Sequence, residues 1–226
     1  MREIVLDTET TGFEPESGDR IVEIGCVELV NHVATGEVYH QYINPERSMP
    51  QGAFEVHGLG DDFLKDHPVF AQVGQAFLDF IGDAKLVIHN AAFDMKFLNA
   101  ELDGMGLARL PMDRTVDTLA IARSKFPGSP ASLDALCRRF GIDNGSRTKH
   151  GALLDSELLA EVYLELIGGR QPTMSLTAEA GRDDARSGPW TPMPRPTPLA
   201  PRLTEAEAAR HAAFIDALGD DALWRR

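Results

Sequence analysis

The chain is poor in cysteine, in long apolar runs and in positive charge, and each shortage excludes something. Its two cysteines, Cys26 and Cys137, both sit in otherwise apolar patterns, so a disulfide framework is not expected and a reducing, cytoplasmic setting fits best. No apolar run approaches the roughly 18 residues needed to cross a bilayer. The N-terminus enters a strand pattern at once, which leaves no room for a signal peptide. No membrane partner is therefore expected, and no internal repeat is visible. Only 22 Lys and Arg stand against 35 Asp and Glu, a net charge of -13, which predicts weak non-specific affinity for nucleic acid.

The distribution of charge softens that last exclusion. Residues 1–169 carry 27 acids and 14 Lys or Arg, whereas residues 170–226 carry 8 of each. Within the acidic part, Arg138, Arg139, Arg147 and Lys149 face only Asp143. Bound divalent cations would cancel more of the negative charge where it is densest. What remains is ordinary: 43% hydrophobic and 25% charged residues over 226 positions, enough for one good-sized domain with appendages.

Strand patterns occur at 2–8 and 20–30, and a third runs from Gly36 to Ile43 after a turn at Asn31–Thr35, giving an opening meander. Phe70, Val73, Phe77 and Ile81 form a helical stripe. A short strand at Lys85–His89 leads to a helix from about Ala92, and another near Thr115 leads to a helix with Leu119 and Ala122. A long helix from about Gly151 to Ile167 stops at Gly168-Gly169. This order predicts an α/β domain with a mixed sheet. Half of the prolines then fall between Pro172 and Pro201, the composition of an extended linker. Thr204-Glu-Ala-Glu207 matches a capping box, opening a helix with His211, Phe214, Ile215 and Leu218 on one face. So short a helix calls for a partner surface, and Leu223 and Trp224 are further anchors.

The informative residues are acids on faces that ought to be apolar. Asp7 and Glu9, in Leu6-Asp-Thr-Glu-Thr10, share one strand face about 7 Å apart. Asp94 falls in register with Phe97, Leu98 and Leu102, and Asp155 with Leu159, Val162 and Leu166. Each acid alone also reads as a solvated strand end or as a helix N-terminus whose dipole favours negative charge. Four of them from separate segments point instead to one site for hard cations, which prefer oxygen ligands. His150 precedes Asp155 by five residues, about 140° net around a helix, so it belongs to the loop before that helix. A lone loop histidine is usually surface. Beside an acidic site it becomes the best general-base candidate.

These residues resemble the DnaQ-like, DEDDh family of 3′–5′ exonucleases. Leu6-Asp-Thr-Glu-Thr-Thr-Gly12, His89-Asn-Ala-Ala-Phe-Asp94 and His150-Gly-Ala-Leu-Leu-Asp155 look like its three motifs, in order, over roughly residues 3–169. Val56-His-Gly58, Ser132-Leu-Asp-Ala-Leu-Cys137 and Ala160-Glu-Val-Tyr163 are closest to the branch that proofreads bacterial replicative polymerases. The resemblance implies an RNase H-like fold with a five-stranded mixed sheet and two divalent metal ions, Mg2+ or Mn2+. Asp7, Glu9, Asp94 and Asp155 would hold the metals, with His150 as general base. Asp7, Glu9, Thr10, Thr11, His57 and Asp155 would meet the substrate, a DNA 3′ end. One departure stands out: where that branch has a Glu touching the terminal 3′-hydroxyl, this chain has Gly52, with Gln51 as a substitute of lesser merit.

The tail fits the same branch. Gln171-Pro-Thr-Met-Ser-Leu176 resembles a motif that binds the beta sliding clamp, through Gln171, Met174 and Leu176. The segment with Phe214, Leu218, Leu223 and Trp224 resembles one that binds the polymerase catalytic (alpha) subunit. The implied division is an exonuclease domain at 1–169, a clamp-binding motif and linker at 170–202, and a polymerase-binding segment at 203–226. Two other functions compete: an RNA exonuclease of the ribonuclease T or oligoribonuclease type, and a non-catalytic tether between clamp and polymerase.

Overall fold

The computed structural model describes residues 1–145, 149–169 and 203–219. Five strands, β1 (Arg2–Thr10), β2 (Ile21–Val30), β3 (Val33–Tyr42), β4 (Lys85–Ile88) and β5 (Thr115–Asp117), form one sheet in the order β3-β2-β1-β4-β5. The β1–β2 and β2–β3 pairs are antiparallel, and β1–β4 and β4–β5 are parallel. Mixed pairing is what the expected order of a meander followed by alternating helices requires. Seven helices belong to this unit: α1 (Gln51–His57), α2 (Asp61–Leu64), α3 (Phe70–Ile81), α4 (Ala91–Gly104), α5 (Thr118–Lys125), α6 (Leu133–Phe140) and α7 (Ala152–Leu166).

Alternation along β1 feeds two cores. Ile4 and Leu6 join Phe70, Phe77, Phe97 and Leu98 on the α3–α4 side, while Val5 joins Leu136, Leu159, Val162 and Leu166 on the α6–α7 side. A strand covered on both faces lies at the centre of the sheet, so the polar ends of β1 are held by the most constrained element of the fold. Cys26 and Cys137 are buried in different cores and form no disulfide.

The structure departs from the sequence reading in a few places. The hairpin turn is two residues, not Asn31–Thr35: Asn31 and His32 both adopt left-handed angles, with φ of 52° and 66°, and β3 starts at Val33. Two such residues match the twist of the flanking strands. β1 runs on to Thr10, two residues past the strand pattern at 2–8. Helices α1, α2 and α6 carry no sequence stripe long enough to announce them, at 7, 4 and 8 residues.

The second described unit is α8 (Glu205–Ala217), opened by the expected capping box between Thr204 and Glu207. Phe214 on it and Leu218 just after it are exposed. Arg147, Gln171, Met174, Leu176, Leu223 and Trp224 lie outside the described residues. Among the described residues, no helix is long and apolar enough to cross a membrane.

Candidate active site

The parallel strands point their carboxyl ends to one edge of the sheet, where open α/β folds gather their functional groups. The β1–β4 ladder ends at Val5–Val87, and beyond it β1 runs on alone on that side. Asp94, in the first turn of α4, takes the vacated position. Its Oδ1 accepts from the Thr8 backbone N–H (3.1 Å) and from the Thr8 hydroxyl (2.7 Å). The turn before α4 is fixed by Asn90 in a left-handed conformation, φ 70°, which Asn tolerates better than most residues. Asp117 locks it from β5, accepting from the Asn90 N–H and capping α5 through Leu119 N.

Asp7 and Glu9 face the α7 side. In the β1–β2 pairing Asp7 stands opposite Gly25 and Glu9 opposite Glu23. At Gly25 the backbone of α7 crosses the sheet: a Cβ there would come within 2.2 Å of the Leu153 nitrogen. Ser156 Oγ donates to the Gly25 carbonyl at 2.9 Å and fixes the crossing. Asp155, one residue before Ser156, is thereby buried beside the two β1 acids at 3% exposure.

His150 lies in the loop before α7, as its spacing predicts. Its backbone N–H donates to the carbonyl of Val56 in α1 (3.2 Å), and Lys149 next to it lies over the Phe54 ring at 4.9 Å. Helix α1, missed in the sequence, is thus what holds the histidine loop. The His150 Nδ1 is 3.2 Å from Asp155 Oδ2, and candidate ligand atoms of Glu9, His150 and Asp155 all lie within 4.8 Å of one another. Asp7 and Asp94 line the same cavity, of about 570 Å3, but stand outside that tightest group. Burial pushes the Asp94 carboxyl up to about 7, against the pull of its Thr8 hydrogen bonds. An acid so placed is costly to ionise unless positive charge comes near.

A second cavity, of about 650 Å3, takes in Thr10, Thr11, Val56, His57 and Gly52. His57 Nδ1 accepts from the Leu59 N–H at 3.0 Å, so in the neutral ring Nε2 carries the hydrogen. That Nε2 is buried without a well-formed partner among the described residues. Burial lowers the His57 pKa and keeps the ring neutral. Gln51, by contrast, is tied to Glu55 at 2.9 Å and is not part of the cavity wall.

Sequence reasoning did not single out His89, Arg123, Ser129 or Ser132, which also line the first cavity. His89 was visible as the first residue of the motif that ends in Asp94. Ser132 was likewise visible as the first residue of Ser132-Leu-Asp-Ala-Leu-Cys137, whereas Arg123, in the last turn of α5, and Ser129, in the connection to α6, approach the acids through tertiary packing that leaves no periodic trace.

The chain is similar in sequence and in fold to known exonucleases. The exonuclease family model (RNase_T) matches residues 4–163. The DNA polymerase III subunit epsilon of Rickettsia conorii is 48% identical over 219 residues, covering 95% of each chain. The protein of the same name from Escherichia coli is 45% identical over 240 residues, covering 99% of this chain and 97% of its own. In fold, the chain is similar to the nuclease domain of 3′hExo, a DEDDh family member, with a TM-score of 0.61 at 22% identity over 74% of this chain and 91% of that one.

Proposed function

The chain belongs to the exonuclease family, in the branch of the bacterial DNA polymerase III epsilon subunits, and from that premise we propose that it proofreads DNA, removing mismatched 3′ ends as 5′-mononucleotides. The observation that carries this reading is the convergence of Glu9, His150 and Asp155 within 4.8 Å, with Asp7 and Asp94 on the same wall. These groups come from three distant stretches of chain, and packing alone gives no reason to bury acids together.

Divalent metals are general to the DEDDh exonucleases, and the donors fit them: carboxylate oxygens suited to hard cations, and an Asp94 whose ionisation a cation would favour. Asp7, Glu9, Asp94 and Asp155 would hold two such ions, Mg2+ or Mn2+. Bound there, they would supply charge to ready a water and to stabilise the leaving 3′-oxygen. The remaining work falls to side chains. His150, with Nδ1 directed by Asp155, takes the proton of the attacking water at Nε2. Its ring is 47% exposed, so the proton can pass on to solvent. His57 donates its buried Nε2–H to the terminal nucleotide, beside Thr10 and Thr11 in the more apolar cavity. A mismatched end frays more readily than a paired one, so selection for errors follows from the cost of unpairing.

In the same reading, residues 1–169 are the nuclease, 170–202 carry Gln171, Met174 and Leu176 to the beta sliding clamp, and 203–226 bind the polymerase alpha subunit. Phe214 on α8 and Leu218 at its end, with Leu223 and Trp224 beyond, are the anchors. A 13-residue helix is marginal alone in water and gains from such a partner. A cytoplasmic location goes with this role.

The test is hydrolysis of a 5′-labelled primer–template with a mismatched 3′ end, in Mg2+ and then in EDTA, for the wild type and Asp155→Ala. Stepwise 3′ shortening that EDTA and the substitution both abolish supports the reading. Strong preference for RNA would replace it with the RNA-processing function, and no hydrolysis by folded wild type would leave the tether.

A further inference from the structure

Two cavities meet at the acids, and their linings differ in kind. Thr8, Glu9 and Phe93 belong to both, so Glu9 stands at the junction. The arm around Val56 and His57 is the more apolar and suits a nucleoside. The other arm runs past His150 and Asp155 to a polar wall made by Arg123, Ser129 and Ser132. With a terminal nucleoside in the first arm, its 5′-phosphate lies at the junction, and the strand that remains has to leave along the second.

We propose that Arg123 is a positioning residue that binds the phosphodiester one nucleotide 5′ of the scissile bond, an assignment that rests on the exonuclease reading. Three observations support it. Among the described residues Arg2, Arg20, Arg47 and Arg109 are each paired to a carboxylate, and of the arginines that are not, Arg123 is the one that lines the acidic cavity. An arginine on the wall of an acidic cleft, with no carboxylate on its fork among the described residues, is open to an anion, and that fork matches phosphate geometry. Second, its backbone is anchored: Arg123 sits in α5, and the following turn is closed by Ser129 N–H donating to the Phe126 carbonyl at 3.1 Å. Third, Ser132 Oγ accepts the Ala135 N–H (3.3 Å), which leaves its own hydroxyl hydrogen to donate toward the same anion. The one acid on this wall, Asp134, accepts from Asn144 Nδ2 at 2.9 Å. The positive charge of Arg123 also reaches His89, where it adds to the burial that keeps that ring neutral.

A contact to the backbone carries no base information. It would hold the strand in register on any sequence, as an enzyme that removes whichever nucleotide was misplaced requires.

The experiment is a four-way cycle on full-length protein: wild type and Arg123→Ala, each with a labelled single strand carrying either an ordinary phosphodiester or a neutral methylphosphonate at the linkage next to the scissile one. Wild type is expected to lose about ten- to hundredfold in kcat/KM on the neutral strand, the range for a hydrogen bond to a charged group. Arg123→Ala should lose as much on the ordinary strand and no more on the neutral one, while Arg123→Lys recovers part of the loss. The slope of log binding against log salt should fall by about 0.7 in Arg123→Ala, the value for one contact on a single strand. Independent, multiplying losses from the two changes would overturn the assignment and leave the exonuclease reading standing. Absence of hydrolysis by wild type on either strand would remove both.

Discussion

Asp94 Oδ1 accepts two hydrogen bonds from Thr8, the residue that stands between Asp7 and Glu9 in β1. The helix acid is therefore fastened to the strand that carries the other two, on the opposite side of its pleat. Rigid fastening of a buried acid has a measurable cost. With its carboxyl pushed up to about 7 by burial, against a usual value of 3.8, the folded state holds a proton that the unfolded chain has already lost between those values. Stability of the metal-free protein should thus fall as pH rises from about 4 to 7 and level off above, by on the order of a few kcal/mol. In EDTA at pH 8, Asp94→Asn should melt higher than the wild type, with the difference gone at pH 4 and with hydrolysis lost. Thermal melts across that range are the check, and identical curves for the two proteins would contradict the assignment.

His150→Ala should lower kcat by about 10²- to 10⁴-fold, the usual share of a general base. The fold should be intact, since the ring is half exposed and its backbone bond to Val56 survives the change. Single-turnover rates, with circular dichroism as control, decide it; an unchanged rate removes His150 from the chemistry.

Gly25→Ala should harm both stability and turnover, although position 25 bears no functional group. The new methyl meets the Leu153 backbone at 2.2 Å, so the start of α7 must move. Overpacking of this kind costs about 1–3 kcal/mol, and a shift of about 1 Å in Asp155 is worth about 10²-fold in rate. A melting curve and a primer assay measure the two effects. A variant with normal kcat would show that α7 can absorb the displacement without carrying Asp155 along.

Gly52→Glu should tighten the hold on the terminal nucleotide. Nothing lies within 4 Å of a Cβ at that position, and Gly52 lines the His57 cavity. A carboxylate reaching a 3′-hydroxyl there should lower KM by about tenfold, and removing a helical glycine adds about 0.5–1 kcal/mol of stability. Inhibition by 5′-dTMP reads the change directly. No gain in its affinity would mean that the sugar lies elsewhere in the cavity.

What could be read in advance follows from the range of the interactions involved. Asp94 and Asp155 were legible because each interrupts an apolar helical stripe, a pattern confined to one segment. The first two strands were legible as local apolar and β-branched runs, although their central place in the sheet was not. Helix α1 was not, because its 7 residues bury only His57. Its importance lies in what crosses it, the loop from Lys149, nearly a hundred positions later. Arg123 was equally silent, since an exposed arginine near a helix end looks the same in sequence whether it borders solvent or a cleft.

The crossing at Gly25 joins a residue from the second strand to the last helix of the nuclease unit, through a hydrogen bond that spans 131 positions. Asp155, next to Ser156 on α7, is held at the site by that crossing. A chain cut short before α7, or one still collapsing, holds its acids in pieces. The site is in this way a property of the whole nuclease unit, from its first strand to its last helix, and no shorter piece of the chain carries all of its acids.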